Sequence, residues 1–214
     1  MQGIQTVLFD LDGTLVDSLS LIQDTYQAVF RHMGLPWGDG EVMRFIGISL
    51  REIAARFAPS RADEFIRFYQ REYERGHDAR LRTFPGSRSI LESLGRRGYQ
   101  TGVVTSKGRH GACLALRLLQ LEELFDIMVT ADDVHRTKPH PEPVVKALRA
   151  LGTPPWGAVF VGDSPFDFEA GRRAGVRTLA VSWGLTPLQD LNSFGVDGVL
   201  LQWADLDSYL RRSA

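Results

Sequence analysis

The sequence has 214 residues, 43% of them hydrophobic and 24% charged, enough for one large domain or a domain with a small companion. Its 25 Lys and Arg against 26 Asp and Glu leave a formal net charge of −1, so no global field draws in nucleic acid or an anionic membrane. The single cysteine, Cys113, excludes an intramolecular disulfide and cysteine-cluster metal sites. In chain order, short apolar runs predict strands at residues 4–9, 100–105, 127–130, 158–161, 178–182 and 198–201. Most are nearly continuous in apolar residues, as strands buried on both faces should be. Helical patterns at 87–97, 109–119, 142–151 and 166–174 fall between them. This alternation predicts an α/β fold, a doubly wound, Rossmann-like parallel sheet with helices on both faces.

One stretch departs from the alternation. Residues 18–80 hold no convincing strand. Leu19, Ile22, Tyr26 and Val29 repeat at helical spacing, as do Phe65, Phe68, Tyr69 and Tyr73. The expected organisation is therefore an α/β core made of residues 1–17 and 81–214, with an all-helical unit of residues 18–80 inserted into it. Cys113, inside the apolar run 112–116, is expected to be a small buried residue. No leader pattern opens the sequence and no apolar run approaches about 18 residues, which predicts a cytoplasmic protein.

Ligands of open α/β sheets bind beyond the carboxyl ends of the strands, so the residues after each strand carry most information. Asp10-Leu11-Asp12-Gly13-Thr14 follows the first. Two ionised carboxylates this close call for a cation, and a carboxylate can also attack phosphorus. The same residues suit an ordinary turn. Thr105-Ser106-Lys107-Gly108 follows the second strand and reads either as a phosphate-binding turn or as a helix N-cap. Lys138 stands in the proline-rich loop Thr137-Lys138-Pro139-His140-Pro141, one of only three lysines beside Lys107 and Lys146 in an arginine-rich chain. A stiff loop helps aim an ammonium at a phosphate. Val161-Gly162-Asp163-Ser164-Pro165-Phe166-Asp167 supplies two more carboxylates for a metal, or a cap for the next helix.

Taken together and in this order, strand-Asp-x-Asp-Gly-Thr, strand-Thr-Ser, Lys-Pro and strand-Gly-Asp-x-x-x-Asp resemble the haloacid dehalogenase-like hydrolase superfamily in its phosphatase branch. The resemblance covers essentially the whole chain. The helical insert matches the family's cap, and 45–51 looks like the cap loop of its phosphoglycolate phosphatase and pyrophosphatase-like members. The resemblance implies a Mg2+-dependent phosphatase with Asp10 as the nucleophile and Asp12 as general acid and then base. Thr105, Ser106 and Lys138 would hold phosphate. Asp10, Asp12 (through its carbonyl) and Asp163 would hold Mg2+, with Asp167 as a ligand or a supporting group. Residues 14–18 and 80–86 would be hinges. Arg44, Arg51 and the turn at Gly47 would face the substrate.

The implied substrate is a small phosphorylated metabolite, phosphoglycolate first and pyrophosphate second, handled by a monomer or homodimer. Within the same resemblance, Asp12 argues against a dehalogenase, and a cap without lysine argues against Schiff-base chemistry. Ile22 stands where the related sugar-phosphate mutases carry a His, although His32 and His77 lie elsewhere in the cap. A mutase and a non-catalytic phosphate-binding module remain the rival readings.

Overall fold

The computed structural model describes residues 3–212. Strand β1 (Thr6–Phe9) is wholly buried and feeds a tight turn into the short strand β2 (Val16–Asp17). Helices α1 (Leu19–Met33), α2 (Leu50–Phe57) and α3 (Ala62–Arg80) follow, with a 3-10 turn at Glu41–Phe45. Strand β3 (Arg82–Thr83) then leads back to the sheet. The remainder alternates: α4 (Ser87–Arg96), β4 (Gln100–Val104), α5 (Arg109–Leu118), β5 (Ile127–Val129), α6 (Glu142–Leu151), β6 (Ala158–Gly162), α7 (Pro165–Ala174) and β7 (Arg177–Val181). A short α8 (Leu188–Leu191), β8 (Gly198–Leu200) and α9 (Trp203–Arg212) complete it.

The main sheet is parallel, in the order β5-β4-β1-β6-β7-β8. Successive strand residues point to opposite faces. Val7 and Phe9 join the larger apolar cluster, with Leu91 and Leu94 of α4 and Leu206 and Leu210 of α9. Leu8 points the other way, into a cluster with Val144 and Leu148 of α6 and Ala170 of α7. Both faces are thereby covered, as the doubly wound reading requires. The order in which strands are added reverses at β1, which has β4 on one side and β6 on the other. The carboxyl ends of these three strands therefore form the crevice expected to take a ligand.

The larger cluster runs without a break from Leu11, Leu15 and Val16 into Ile22, Tyr26, Phe30 and Phe65 of the helical segment. Helix α1 presents Ile22, Tyr26, Val29 and Phe30 on one stripe, against an aromatic set from α3 and α2. The way into and out of this segment is an antiparallel pair, Val16 opposite Thr83 and Asp17 opposite Arg82. Phe84 N–H and Ser87 Oγ both donate to the Leu15 carbonyl, at 3.1 and 2.9 Å, tying the two crossings together. The two-residue strands are too short to leave a periodic signal.

Cys113 differs from its expectation. On α5 the buried positions are Ala112, Ala115 and Leu116, and Cys113, one residue out of phase with that stripe, is only half-buried. No helix among the described residues is long and apolar enough to cross a membrane.

Candidate active site

Each strand end delivers one polar group. Asp10 follows β1, and its N–H donates to the Val161 carbonyl at 2.9 Å, fixing it beside the end of β6. Asp163 follows β6 and Thr105 follows β4. Lys138 arrives from the loop before α6, in which the Lys138–Pro139 peptide is cis. All four are buried. Lys138 Nζ lies 2.8 Å from Asp10 Oδ1 and 2.5 Å from Asp167 Oδ1.

Asp167 is engaged at both oxygens. Its Oδ2 accepts from Ser164 N–H at 3.0 Å and Ser164 Oγ at 2.5 Å, closing the capping box that starts α7. The capping and the functional readings of this motif thus fall on different residues. Ser164 and Asp167 cap the helix, while Asp163 turns toward Asp10. The β4 turn is different again. The N-cap of α5 is Gly108, not Thr105 or Ser106. Asp132 Oδ2 accepts the Arg109 N–H at 2.7 Å in place of a local cap. Thr105 Oγ1 accepts from Lys107 N–H at 3.2 Å, and Ser106 Oγ is buried without a hydrogen-bond partner.

Carboxylate oxygens of Asp10, Asp163 and Asp167 approach within 4.8 Å of one another. Burial pushes the Asp10 carboxyl up to about 7; Lys138 opposes the rise and Asp167 adds to it. Burial, reinforced by Asp167 and Asp10, holds Asp163 well above the usual carboxylate range. Burial also works against the charge on Lys138, but Asp10 and Asp167 outweigh it and hold the ammonium above its ordinary range. With three buried carboxylates facing one ammonium, full ionisation would leave uncompensated negative charge, which is why Asp10 and Asp163 keep their protons above the usual range. Asp10 Oδ1, although close to Lys138, has no aligned hydrogen-bond donor. Hard oxygen donors within 4.8 Å of one another, which would carry excess negative charge when ionised, fit a hard divalent cation at Asp10 and Asp163.

The turn after β1 is shaped by Asp163. Gly13 has φ +84°, and a Cβ there would stand 2.2 Å from Asp163 Oδ2, so only glycine fits. Thr14 Oγ1 donates to Asp163 Oδ1 at 3.2 Å, and Leu185 N–H donates to Oδ2 at 2.8 Å. Thr186 Oγ1 donates to the Asp163 carbonyl at 2.6 Å, and Trp183 Nε1 to the Thr14 carbonyl at 3.0 Å. The loop after β7 therefore braces Asp163 and the turn after β1. The sequence marked it only by Trp183-Gly184-Leu185 following a strand.

These groups floor a cavity of about 180 Å3 roofed by the helical segment. Asp10, Asp12, Thr105, Ser106, Lys138 and Asp163 line the floor, as the motifs predict. The opposite wall holds Ile22, Tyr26, Ile46, Gly47, Ile48, Leu50 and Ile53. Lys107 and Lys138 are the lysine or arginine side chains that line it among the described residues.

The expectation for Arg44 and Arg51 is corrected. Arg44 is 69% exposed and bonded to Asp39 Oδ2 at 2.6 Å, away from the cavity. Arg51 sits on the exposed side of α2, whose Ile53 and Ala54 are the buried positions. Ile22, where a mutase would carry its His, lines the cavity, whereas His32 stacks on Phe68 and His77 bonds Asp78; neither histidine reaches it.

Comparison with known proteins agrees with this geometry. The family model of the haloacid dehalogenase-like hydrolases matches residues 7–181. A protein named pyrophosphatase PpaX from Oceanobacillus iheyensis is 36% identical over 204 residues, covering 95% of each chain. Among solved structures, a haloacid dehalogenase-like hydrolase from Bacteroides fragilis superposes with TM-score 0.86 at 26% identity, over 95% of this chain and 99% of that one. A predicted phosphoglycolate phosphatase from Haemophilus somnus gives 0.80 at 26% identity, over 98% and 99%. With its motifs at the ends of β1, β4 and β6 and the family match spanning most of its length, this chain belongs to the haloacid dehalogenase-like hydrolases.

Proposed function

We propose that the protein is a Mg2+-dependent phosphatase acting on a small phosphorylated metabolite through an aspartyl-phosphate on Asp10. The observation that carries this reading is the buried Asp10 carboxylate, set at the cavity floor between Lys138 and Asp163. In the first step an Asp10 oxygen forms a bond to phosphorus as the ester P–O bond breaks. Asp12 gives its proton to the departing oxygen. In the second step water attacks the same phosphorus, Asp12 takes the water proton, and Asp10 leaves with its original oxygen. Lys138, the Thr105 hydroxyl and the unpartnered Ser106 hydroxyl offset charge on the phosphoryl oxygens. Mg2+ bound by Asp10, Asp163 and the Asp12 carbonyl would reduce repulsion between the carboxylates and an anionic substrate. Asp167 serves this site by holding Lys138 and capping α7.

The cavity's apolar wall of Ile22, Ile46, Ile48, Leu50 and Ile53 favours an organic monoester with a compact leaving group over pyrophosphate. A second phosphoryl group would find Lys107, His110 and Gln70 beyond the floor. The pyrophosphatase relative supports pyrophosphate as the second reading. A balanced charge supports the absence of a nucleic-acid or anionic-membrane partner, and a cytoplasmic monomer or homodimer stays part of the proposal. A phosphate-release screen with Mg2+, covering phosphoglycolate, other small monoesters, sugar phosphates and pyrophosphate, tests the reading. A monoester should give the highest kcat/KM. Asp10→Asn should lower turnover of every substrate by more than about a thousandfold without changing the circular dichroism spectrum. An active Asp10→Asn variant would overturn the mechanism.

A further inference from the structure

On the side of the cavity lined by α3 and α5, the basic groups already have acidic partners. Lys107 Nζ lies 3.1 Å from Asp12 Oδ1, 2.9 Å from Asp12 Oδ2 and 3.0 Å from Tyr73 Oη. An ammonium has three N–H donors, and these contacts occupy all of them. His110 Nε2 lies 3.2 Å from Glu74 Oε1, a contact that joins α5 to α3. Gln70, one turn before Glu74, lines the same side with an amide, which offers a donor and an acceptor but no charge. Asp132 lines it too, and its Oδ2 holds the Arg109 N–H at 2.7 Å.

A second anion on the substrate would disturb these pairs. To reach it, Lys107 must give up Asp12, whose largely buried side chain would keep only the Ser18 hydroxyl at 2.7 Å. Breaking a buried pair is strongly unfavourable when one partner is left behind. His110 must give up Glu74, which would then stand unpaired beside the new anion. Like charges a few ångströms apart repel, the more so away from bulk water. An uncharged group breaks neither pair. Tyr73 Oη accepts from Lys107, and that bond does not use the hydroxyl proton, which a ligand can take. The Gln70 amide can give or accept a second bond. On the opposite wall Ile46, Ile48 and Leu50 cover a short carbon stem.

We propose that Glu74 is a specificity-determining residue that balances His110 and repels a second anionic group, so that the alcohol leaving phosphorus is uncharged, with a short apolar stem and a hydroxyl or amide tip. This rests on the phosphatase reading and narrows it. Phosphoglycolate and pyrophosphate, whose leaving groups carry further negative charge, rank below uncharged monoesters of the same size.

The test isolates that charge. Phosphoglycolate and its amide, phosphoglycolamide, differ by one negative charge and little in shape. kcat/KM for both, and for pyrophosphate, is measured with Mg2+ on the wild type and on Glu74→Gln. This substitution keeps the size of a half-exposed side chain and removes its charge. The wild type should favour the amide on the order of tenfold, and Glu74→Gln should move the ratio toward phosphoglycolate by about fivefold or more. Raising the ionic strength should shrink the wild-type preference and change that of Glu74→Gln little, because salt screens a half-exposed charge.

A wild type that uses phosphoglycolate or pyrophosphate as well as the amide, or a ratio that Glu74→Gln leaves unchanged, would overturn the proposal and leave the phosphatase reading in place. Asp10→Asn separates the two levels. If that variant hydrolyses either monoester as fast as the wild type, the phosphatase reading fails and the inference falls with it.

Discussion

At the level of single residues, the site is defined by three buried carboxylates that face one ammonium. Asp10 has an ordinary value of 3.8 and, with no cation bound, a folded-state value of about 7. Between these the folded protein keeps a proton that the unfolded chain has released. The contribution of Asp10 to stability is therefore most favourable at or below about pH 4 and declines as pH rises through about 7. A bound cation requires the ionised form, so its effect runs the opposite way. The increase in thermal midpoint on adding millimolar Mg2+ should be larger at about pH 8 than at about pH 6. A shift that is equal at both, or larger at the lower pH, would contradict the assignment of the cation to Asp10 and Asp163. The positions of these acids were legible because each directly ends a buried apolar run, so locating the strand located the acid. Lys107 was not legible beyond its rarity, since its partner Tyr73 is 34 residues away on an element whose docking no periodicity records.

At the level of elements, helical phase and close approach decide which cap residues meet the substrate. Residues 45–51 do reach the site, through Ile46, Gly47, Ile48 and Leu50 and not through Arg51, and Arg44 just before them does not reach it. The sequence places two arginines near a glycine turn. It does not show that the 3-10 turn carries Arg44 to Asp39, or that Leu50 and Ile53 claim the inner side of α2. Gly47 is where this loop presses on the start of α7. It has φ +116°, and a Cβ there would lie 2.6 Å from Phe166 Cδ2 and 2.8 Å from Ser164 Oγ. Thr137 Oγ1 adds a second tie, donating to Glu52 Oε2 of α2 at 2.5 Å. Gly47→Ala should therefore hinder seating of the cap loop while leaving the sheet and its helices unchanged. The expected outcome is a fall in kcat/KM on the order of tenfold with a small change in thermal midpoint. A loss of stability with kcat/KM preserved in the folded fraction would contradict this view of the loop.

For the whole molecule, a chain with net charge −1 gathers three buried carboxylates and an ammonium in the crevice at the carboxyl ends of β1 and β6. The sheet was readable because parallel strands buried on both faces are nearly continuous apolar runs. The β2–β3 pair and the seating of the helices over the sheet were not, because they depend on contacts among segments far apart in sequence. The account's central claim is that Asp10 carries the phosphoryl group between two displacements. Rapid acid quenching of a single turnover with radiolabelled substrate, followed by peptide mapping, tests it most directly. Label is predicted on Asp10 within the first turnover, at a level that decays as free phosphate appears. Turnover with no label on the protein at any quench time, or label on another residue, would contradict it.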